Sequence, residues 1–525
     1  MRVQNWMKLG LVLGMLLGQL NALQLVPVSR QPATRSSSVR ADDDSNPIVR
    51  ENRHPGSDLW QLPSAGFQVS DDITMQIKGY AANSSTTPGG TVGLRVTVTP
   101  AQDFEVDVLR LGYYQGHGAR LLQHLGPIHG IQQKPCATDP ATRMVSCDWK
   151  TSLKLHVSQD WLSGVYVAVL SSAGKFQSLI PFWVVEDKRH SDLLFLSALN
   201  TYQAYNNFPY DPPPSDPEGL PQTGHSLYDF NSANSIPSVK VSFDRPFNHQ
   251  YGGPGDGGIF DFEPELIAFL EQNGYDVTYA PDPALDANPA ILLHHKAVVI
   301  GGHSEYWTMA AYDGALAART RGIGLAFISA NEIYWQVRYE RNQKGAARRV
   351  MVGYKGYEPD PIPDPKLQTI RWRDLGRPEQ KLIGIQFPID GNQNFGGQPY
   401  VPENADHWVY DGSGLSNGVP VKVEAVGYEI DNYDPSVGPP DGTEYTILAN
   451  SPFVNFNNLT YIHNSSIYRG SGGNWVWATG SMDWSWTLSP GGTSTGQSNV
   501  RPEMQVVTRN VLNRMIEDAP ERGER

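Results

Sequence analysis

Cysteine is almost absent: the 525 residues contain two, Cys136 and Cys147. That scarcity excludes cysteine-rich zinc modules and disulfide-dense scaffolds. Short signatures of other chemistries are missing too. The sequence has no HExxH zincin motif, EF-hand loop, G-x-S-x-G elbow, P-loop or convincing dinucleotide fingerprint. Gly252–Gly258 is glycine-rich but has no lysine and no preceding strand, so it reads as a flexible loop rather than a phosphate cradle. Positive charge is also in deficit. A net charge of -13 leaves no basic footprint for nucleic acid or an anionic membrane surface. Beyond the N-terminus no run approaches the roughly 18 apolar residues of a membrane helix.

What is present is a long, loop-rich globular chain, with 51 Gly, 40 Pro and 10% aromatic residues. Its length calls for more than one domain. Arg2 and Lys8 precede an apolar run from Leu9 to Leu20, the layout of a secretory signal peptide cleaved after Ala22. An extracellular location follows, and Cys136 and Cys147 are then expected to pair. Asn83, Asn458 and Asn464 head glycosylation sequons. Residues 23–60, rich in Ser, Arg, Pro and Asp, read as a flexible leader.

Two rhythms follow. Within 61–187 short alternating runs such as Gly93–Val98, Phe104–Leu111, Gly164–Leu170 and Leu179–Val185 predict an all-β sandwich of Ig-like or jelly-roll type. From 188 to 518 apolar strands alternate with helices, which predicts an α/β region with a mostly parallel sheet, followed by a short tail at 519–525. Its strands are Leu193–Leu196, Tyr275–Tyr279, Ala297–Ile300 and Gly324–Ile328; its helices are Glu263–Gly274, Ala310–Arg321 and Pro502–Ile516. In such sheets ligands gather at the carboxyl ends of the strands. Those ends carry Asn200–Asn207, Gly301–Trp307 and Ser329–Trp335, with His225–Phe230 following a Pro-rich excursion. His303 and Glu305, presented after two glycines, look like site residues. Neither cysteine lies here, which argues against a cysteine-nucleophile amidotransferase.

The ordered motifs Asn200–Asn206, Ser226–Tyr228, Gly301–Trp307, Ser329–Glu332, Val352–Lys355 and Thr479–Trp486 resemble the catalytic region of the large subunit of N,N-dimethylformamidase. Arg110–Tyr114 and Gly118–Leu121 resemble that subunit's N-terminal domain. The resemblance implies a glutamine-amidotransferase-like α/β domain and amide hydrolysis at a mononuclear ferric iron held by two tyrosines and a glutamate. Carried over, Glu305 is the carboxylate ligand and Tyr228 one phenolate. Tyr205 is the other, although the motif also offers Tyr202. His303 orients substrate or ligands, Asn331 and Lys355 line the pocket, and Glu429 is the candidate general base. Hard phenolate and carboxylate oxygens suit a hard trivalent ion, which can activate water or polarise an amide carbonyl.

The sequence departs from that family in its signal-like N-terminus and in an insertion, Pro209–Thr223, between the two tyrosine motifs. The expectation is therefore a secreted, iron-dependent hydrolase of some small amide. Homo-oligomerisation and a separate small subunit stay open. Two other readings remain: an iron-tyrosinate oxidative enzyme, or a carbohydrate- or peptide-binding protein using Trp475, Trp477, Trp484 and Trp486 as stacking surfaces.

Overall fold

The computed structural model describes residues 44–249, 258–388, 394–490 and 499–520. The expected signal peptide, most of the leader, residues 252–257 of the glycine-rich segment and most of the tail lie outside the described residues. The architecture is largely β, built from mixed sheets with some helices.

The alternating runs near the N-terminus become strands for the reason the pattern suggests: every second side chain is apolar and faces a common core. Thr91–Val98 pairs antiparallel with Ile77–Ala81 and Leu153–His156. Asp103–Leu111, Gly164–Ser172 and Phe176–Val184 form a second sheet with Ala119–His129. Val92, Leu94, Val96 and Val98 from the first sheet meet Val106, Val108, Leu170 and Ile180 from the second in one apolar layer. Cys136 and Cys147 are joined in a disulfide. The other face of the second sheet, with Leu109, Val167 and Trp183, belongs to the main core. The segment expected as leader differs in its last part. Pro47–Glu51 is helical, and Ile48 and Trp60 are buried in the main core. Its few apolar residues are enough to dock it.

Four fully buried strands, Leu193–Ser197, Val277–Pro281, Ala297–Ile300 and Gly324–Phe327, run parallel, and Trp475–Ala478 continues the parallel set. Their unbroken apolar character reflects burial on both faces. Two antiparallel strands, Thr460–Gly470 and Gly442–Val454, complete a seven-stranded sheet. The helix Met309–Thr320 connects two of the parallel strands and is capped by Thr308, whose side chain accepts from Ala311 N. The C-terminal helix Pro502–Glu517 buries Met504, Val507, Val511, Leu512 and Met515.

The helix Pro264–Gln272 fixes the relation between the sandwich and this sheet. Glu271, buried at its end, accepts from Arg110 of the sandwich through both carboxylate oxygens, at 2.7 and 3.2 Å. Tyr279 Oη and Asn52 Nδ2 complete its shell at 2.8 and 2.9 Å. Every acceptor position of this buried anion is thereby used, the condition under which such a pair is tolerated.

Glu265, on the same helix, has no such shell: it is fully buried, and neither carboxylate oxygen has a hydrogen-bond partner among the described residues. Burial pushes its pKa up to about 8, with Asp261 adding to the effect. In the unfolded chain the group loses its proton near the ordinary glutamate value, whereas the folded chain keeps it until about pH 8. Stability is therefore present at acid pH and lost as pH rises from about 5 to 8, by at most about 1.4 kcal/mol per pH unit. Denaturant unfolding across that window is expected to show this fall, with a shallower slope for Glu265→Gln; identical slopes would contradict it.

Candidate active site

The carboxyl ends of the parallel strands deliver the side chains to one place. Leu193–Ser197 runs into the helix Leu199–Tyr205, which carries Tyr202 and Tyr205. Ala297–Ile300 leads to the turn Gly301–Glu305, and Gly324–Phe327 leads to Ser329–Glu332. The turn is held by its own backbone: Glu305 N donates to Thr201 Oγ1 at 3.0 Å, and Tyr334 N and Trp335 N donate to Glu305 O at 2.9 and 3.0 Å. Tyr228 comes from the loop after the Pro-rich excursion. That loop is tied to the tyrosine helix by Leu227 N to Ala204 O at 2.9 Å and Asn231 Nδ2 to Tyr205 O at 3.1 Å.

Tyr228 Oη sits 2.7 and 2.8 Å from the two oxygens of Glu305. The Tyr205 ring is 4.3 Å from that of Tyr228, centroid to centroid, and their hydroxyls interact. Tyr306 Oη donates to Tyr228 Oη at 2.6 Å and receives Lys355 Nζ at 2.9 Å. The same ammonium lies 3.2 Å from the centroid of the Tyr228 ring. Behind them, His303 Nε2 is 3.3 Å from Glu429 Oε2 and 3.7 Å from Glu305 Oε2. Asn331 Nδ2 donates to Glu429 Oε2 at 2.9 Å. All seven residues singled out from the sequence (Tyr205, Tyr228, Glu305, His303, Asn331, Lys355 and Glu429) are thus brought together. Tyr202 is directed elsewhere: its hydroxyl bonds Glu263 at 2.8 Å. Of the two helix tyrosines, Tyr205 is the one that lies against Tyr228.

Electrostatics follow from burial. His303, Glu305, Asn331 and Glu429 are all buried. Desolvation raises Glu305, with His303 and Lys355 opposing it. Burial pulls His303 down, Glu305 pulling the other way, so the neutral imidazole is favoured. Burial lowers Lys355 to about 7, against the pull of Glu305 and Asp229. The phenols of Tyr205 and Tyr228 are held well above their ordinary value, chiefly by burial and then by Glu305. Positions with perturbed protonation, clustered at a sheet edge, mark functional sites.

Backbone strain accumulates at the same place. Asn331 (φ 53°), Ile333 (φ 54°) and Lys355 (φ 56°) adopt left-handed conformations. For β-branched Ile333 this is an outlier. The strain is held by bonds from Asn331 N to Asp431 Oδ1 at 2.9 Å, Ile333 N to Ser304 O at 2.9 Å and Lys355 N to Thr369 O at 2.8 Å.

Sequence reasoning did not single out Tyr306, Tyr428 and Glu332. Tyr306 bridges Lys355 and Tyr228. Tyr428 is close enough to Glu429 and Glu305 for both to raise its pKa, after burial. Glu332 is buried with neither oxygen partnered among the described residues. Each is the chain neighbour of a residue singled out from the sequence, and each pair lies in a turn or at a strand end, where no period fixes which way a side chain points. Phe230 and Tyr357 stand at the exposed rim, 52% and 47% accessible. The tryptophans do not form a stacking surface: Trp475, Trp477 and Trp484 are buried, and Trp486 packs on Phe262.

Among the described residues no group of three or more His, Cys, Asp or Glu side chains is arranged to hold a metal. A set that includes phenols is another matter. Tyr205, Tyr228 and Glu305 put oxygen donors around one point, with the Tyr228 hydroxyl almost equidistant from both carboxylate oxygens. Buried oxygen donors of this kind fit a hard cation that displaces the phenolic protons.

The family model described as N,N-dimethylformamidase beta subunit-like, C-terminal, matches residues 105–498. The chain belongs to that family. Its relatives include the N,N-dimethylformamidase beta subunit of Alcaligenes sp., 26% identical over 51% of this chain and 38% of that one. The N,N-dimethylformamidase beta subunit of Paracoccus aminophilus is 25% identical over 71% of this chain and 55% of its own length. The chain thus spans about half the length, or less, of these curated relatives. A superoxide reductase (neelaredoxin) from Ignicoccus hospitalis aligns with 23% of this chain and 99% of its own at 10% identity, with a TM-score of 0.15 that bears on neither fold nor chemistry.

The turn that carries His303 and Glu305 depends on Gly302. Its φ is +72°, and a Cβ there would sit 2.4 Å from Tyr202 Oη and 3.3 Å from Glu263 Oε1. Gly302→Ala is expected to cost about 1–3 kcal/mol in unfolding experiments. A variant as stable as the parent would show that the turn does not need this conformation.

Proposed function

We propose that this chain carries an iron-dependent amidohydrolase centre that cleaves the C–N bond of a small amide. The observation that carries the reading is the convergence of Tyr205, Tyr228 and Glu305 oxygens in a buried site, in a chain of this family. The two relatives are named as subunits of an enzyme whose name specifies a small amide. The same names support association with a companion subunit.

When bound, ferric iron supplies Lewis acidity within a hard oxygen donor set. The chain's own residues do the rest. Tyr205, Tyr228 and Glu305 would hold the ion, and their three negative charges, once formed, would balance its own. Lys355 steadies the Tyr228 phenolate from above its ring and through Tyr306. Glu429, oriented by Asn331, accepts a proton from the attacking water and returns it to the departing amine nitrogen. Neutral His303, beside Glu429, offers a ring nitrogen to the substrate. Asn331 Oδ1, without a partner among the described residues, is available to a substrate N–H. Hydrolysis adds one water across the bond and releases a carboxylic acid and an amine.

The purified protein is expected to hold near-stoichiometric iron and a visible tyrosinate-to-iron absorption band that Tyr228→Phe abolishes. Glu305→Ala should lose iron and amidase activity together, and Glu429→Gln should keep iron while lowering kcat about 100-fold or more. Amide hydrolysis persisting in iron-free Glu305→Ala protein would refute the reading.

A further inference from the structure

A cavity of about 30 Å³ lies between the sandwich and the helix Leu199–Tyr205. Ile180, Trp183, Leu199 and Phe247 form apolar walls, and Arg245 and Arg349 contribute the charge. Among the described residues no Asp or Glu lines it. The space suits one small ion or a water or two.

Among the described residues the cations around it outnumber their counter-charges. Asp244 serves two guanidiniums at once, Arg349 at 2.9 Å and Arg95 at 3.1 Å. Arg245 is 1% exposed and forms no ion pair among the described residues. Its Nη atoms donate to backbone carbonyls, Asn206 O at 2.7 Å and His225 O at 3.0 Å, while Nε has no hydrogen-bond partner among the described residues. Burial lowers its pKa only to about 9, so the guanidinium stays charged at neutral pH. A buried cation with an unused donor, next to a void that no described carboxylate lines, is the arrangement that an anion completes. Carbonyl dipoles satisfy hydrogen bonds but do not cancel the charge. The apolar walls favour a weakly hydrated ion over a strongly hydrated one, and guanidinium, itself weakly hydrated, matches it.

We propose that this cavity is a binding site for one small monovalent anion, a halide, held by Arg245 and Arg349. The site is distinct from the proposed metal centre. Through the Asn206 and His225 carbonyls, Arg245 joins the two segments that carry Tyr205 and Tyr228, so the anion stabilises the packing of those segments.

The test is the thermal unfolding midpoint of the full-length protein in sodium chloride or bromide against sodium gluconate of equal ionic strength. The gluconate anion is too large to enter. A saturating upward shift in both halides, absent in gluconate and abolished in Arg245→Met, is expected. If Arg245→Met does not fold, bromide-soaked crystals of the unaltered protein decide, with an anomalous peak expected in the cavity within hydrogen-bonding reach of Arg245 Nε. Equal midpoints in chloride and gluconate, or a bromide-free cavity, would overturn the proposal.

Discussion

The helix Pro264–Gln272 is pinned at both ends by buried carboxylates, and the rest of the structure takes its bearings from it. At one end Glu271 receives Arg110 from the sandwich, together with Tyr279 and Asn52. At the other, Glu263 accepts from Ser197 Oγ, Ala198 N and Tyr202 Oη, at 2.8, 3.1 and 2.8 Å. Those three residues span the junction between the first parallel strand and the helix that carries Tyr205. A carboxylate taken out of water demands donors in definite directions, so each end fixes position more sharply than apolar packing alone. The sandwich is thereby registered against the sheet, and the tyrosine helix against both.

That registration explains why Tyr202 and Tyr205, three residues apart on one short helix, have separate tasks. Tyr202 locks the helix to Glu263, and Tyr205 is left to face Tyr228 and His303. The cluster beyond them is poor in positive charge. Among the described residues Lys355 is the one cation within contact of Tyr228, and burial brings it close to losing its proton at neutral pH. With Glu305, Glu429, Glu332 and Asp431 all buried nearby, an added cation relieves repulsion that protonation otherwise has to relieve.

Much of this was legible in the sequence where one physical rule dominated. Leu193–Ser197 and Ala297–Ile300 are buried on both faces, so their continuous apolar runs could be read directly, and residues at their carboxyl ends were bound to converge. The strands of the sandwich were readable from alternation. Legibility failed where tertiary contact outweighed local pattern. Ile48 and Trp60 lie in a stretch with no periodicity, yet the core recruits them. The antiparallel strands Gly442–Val454 and Thr460–Gly470 mix polar and apolar residues because one is an edge, and they escaped notice. Tyr306 reaches the phenol cluster because the turn before it ends the strand rhythm, a geometry no spacing rule contains.

The two half-exposed rings, Phe230 and Tyr357, lie outside the buried cluster. Phe230 touches the Tyr228 and Tyr205 rings from outside and Tyr357 flanks Lys355, both through ring contacts. Their replacement changes the surface above the cluster without removing a bond among the oxygens beneath it. The outer face of the cluster can therefore change in shape and polarity independently of the bonding network beneath it.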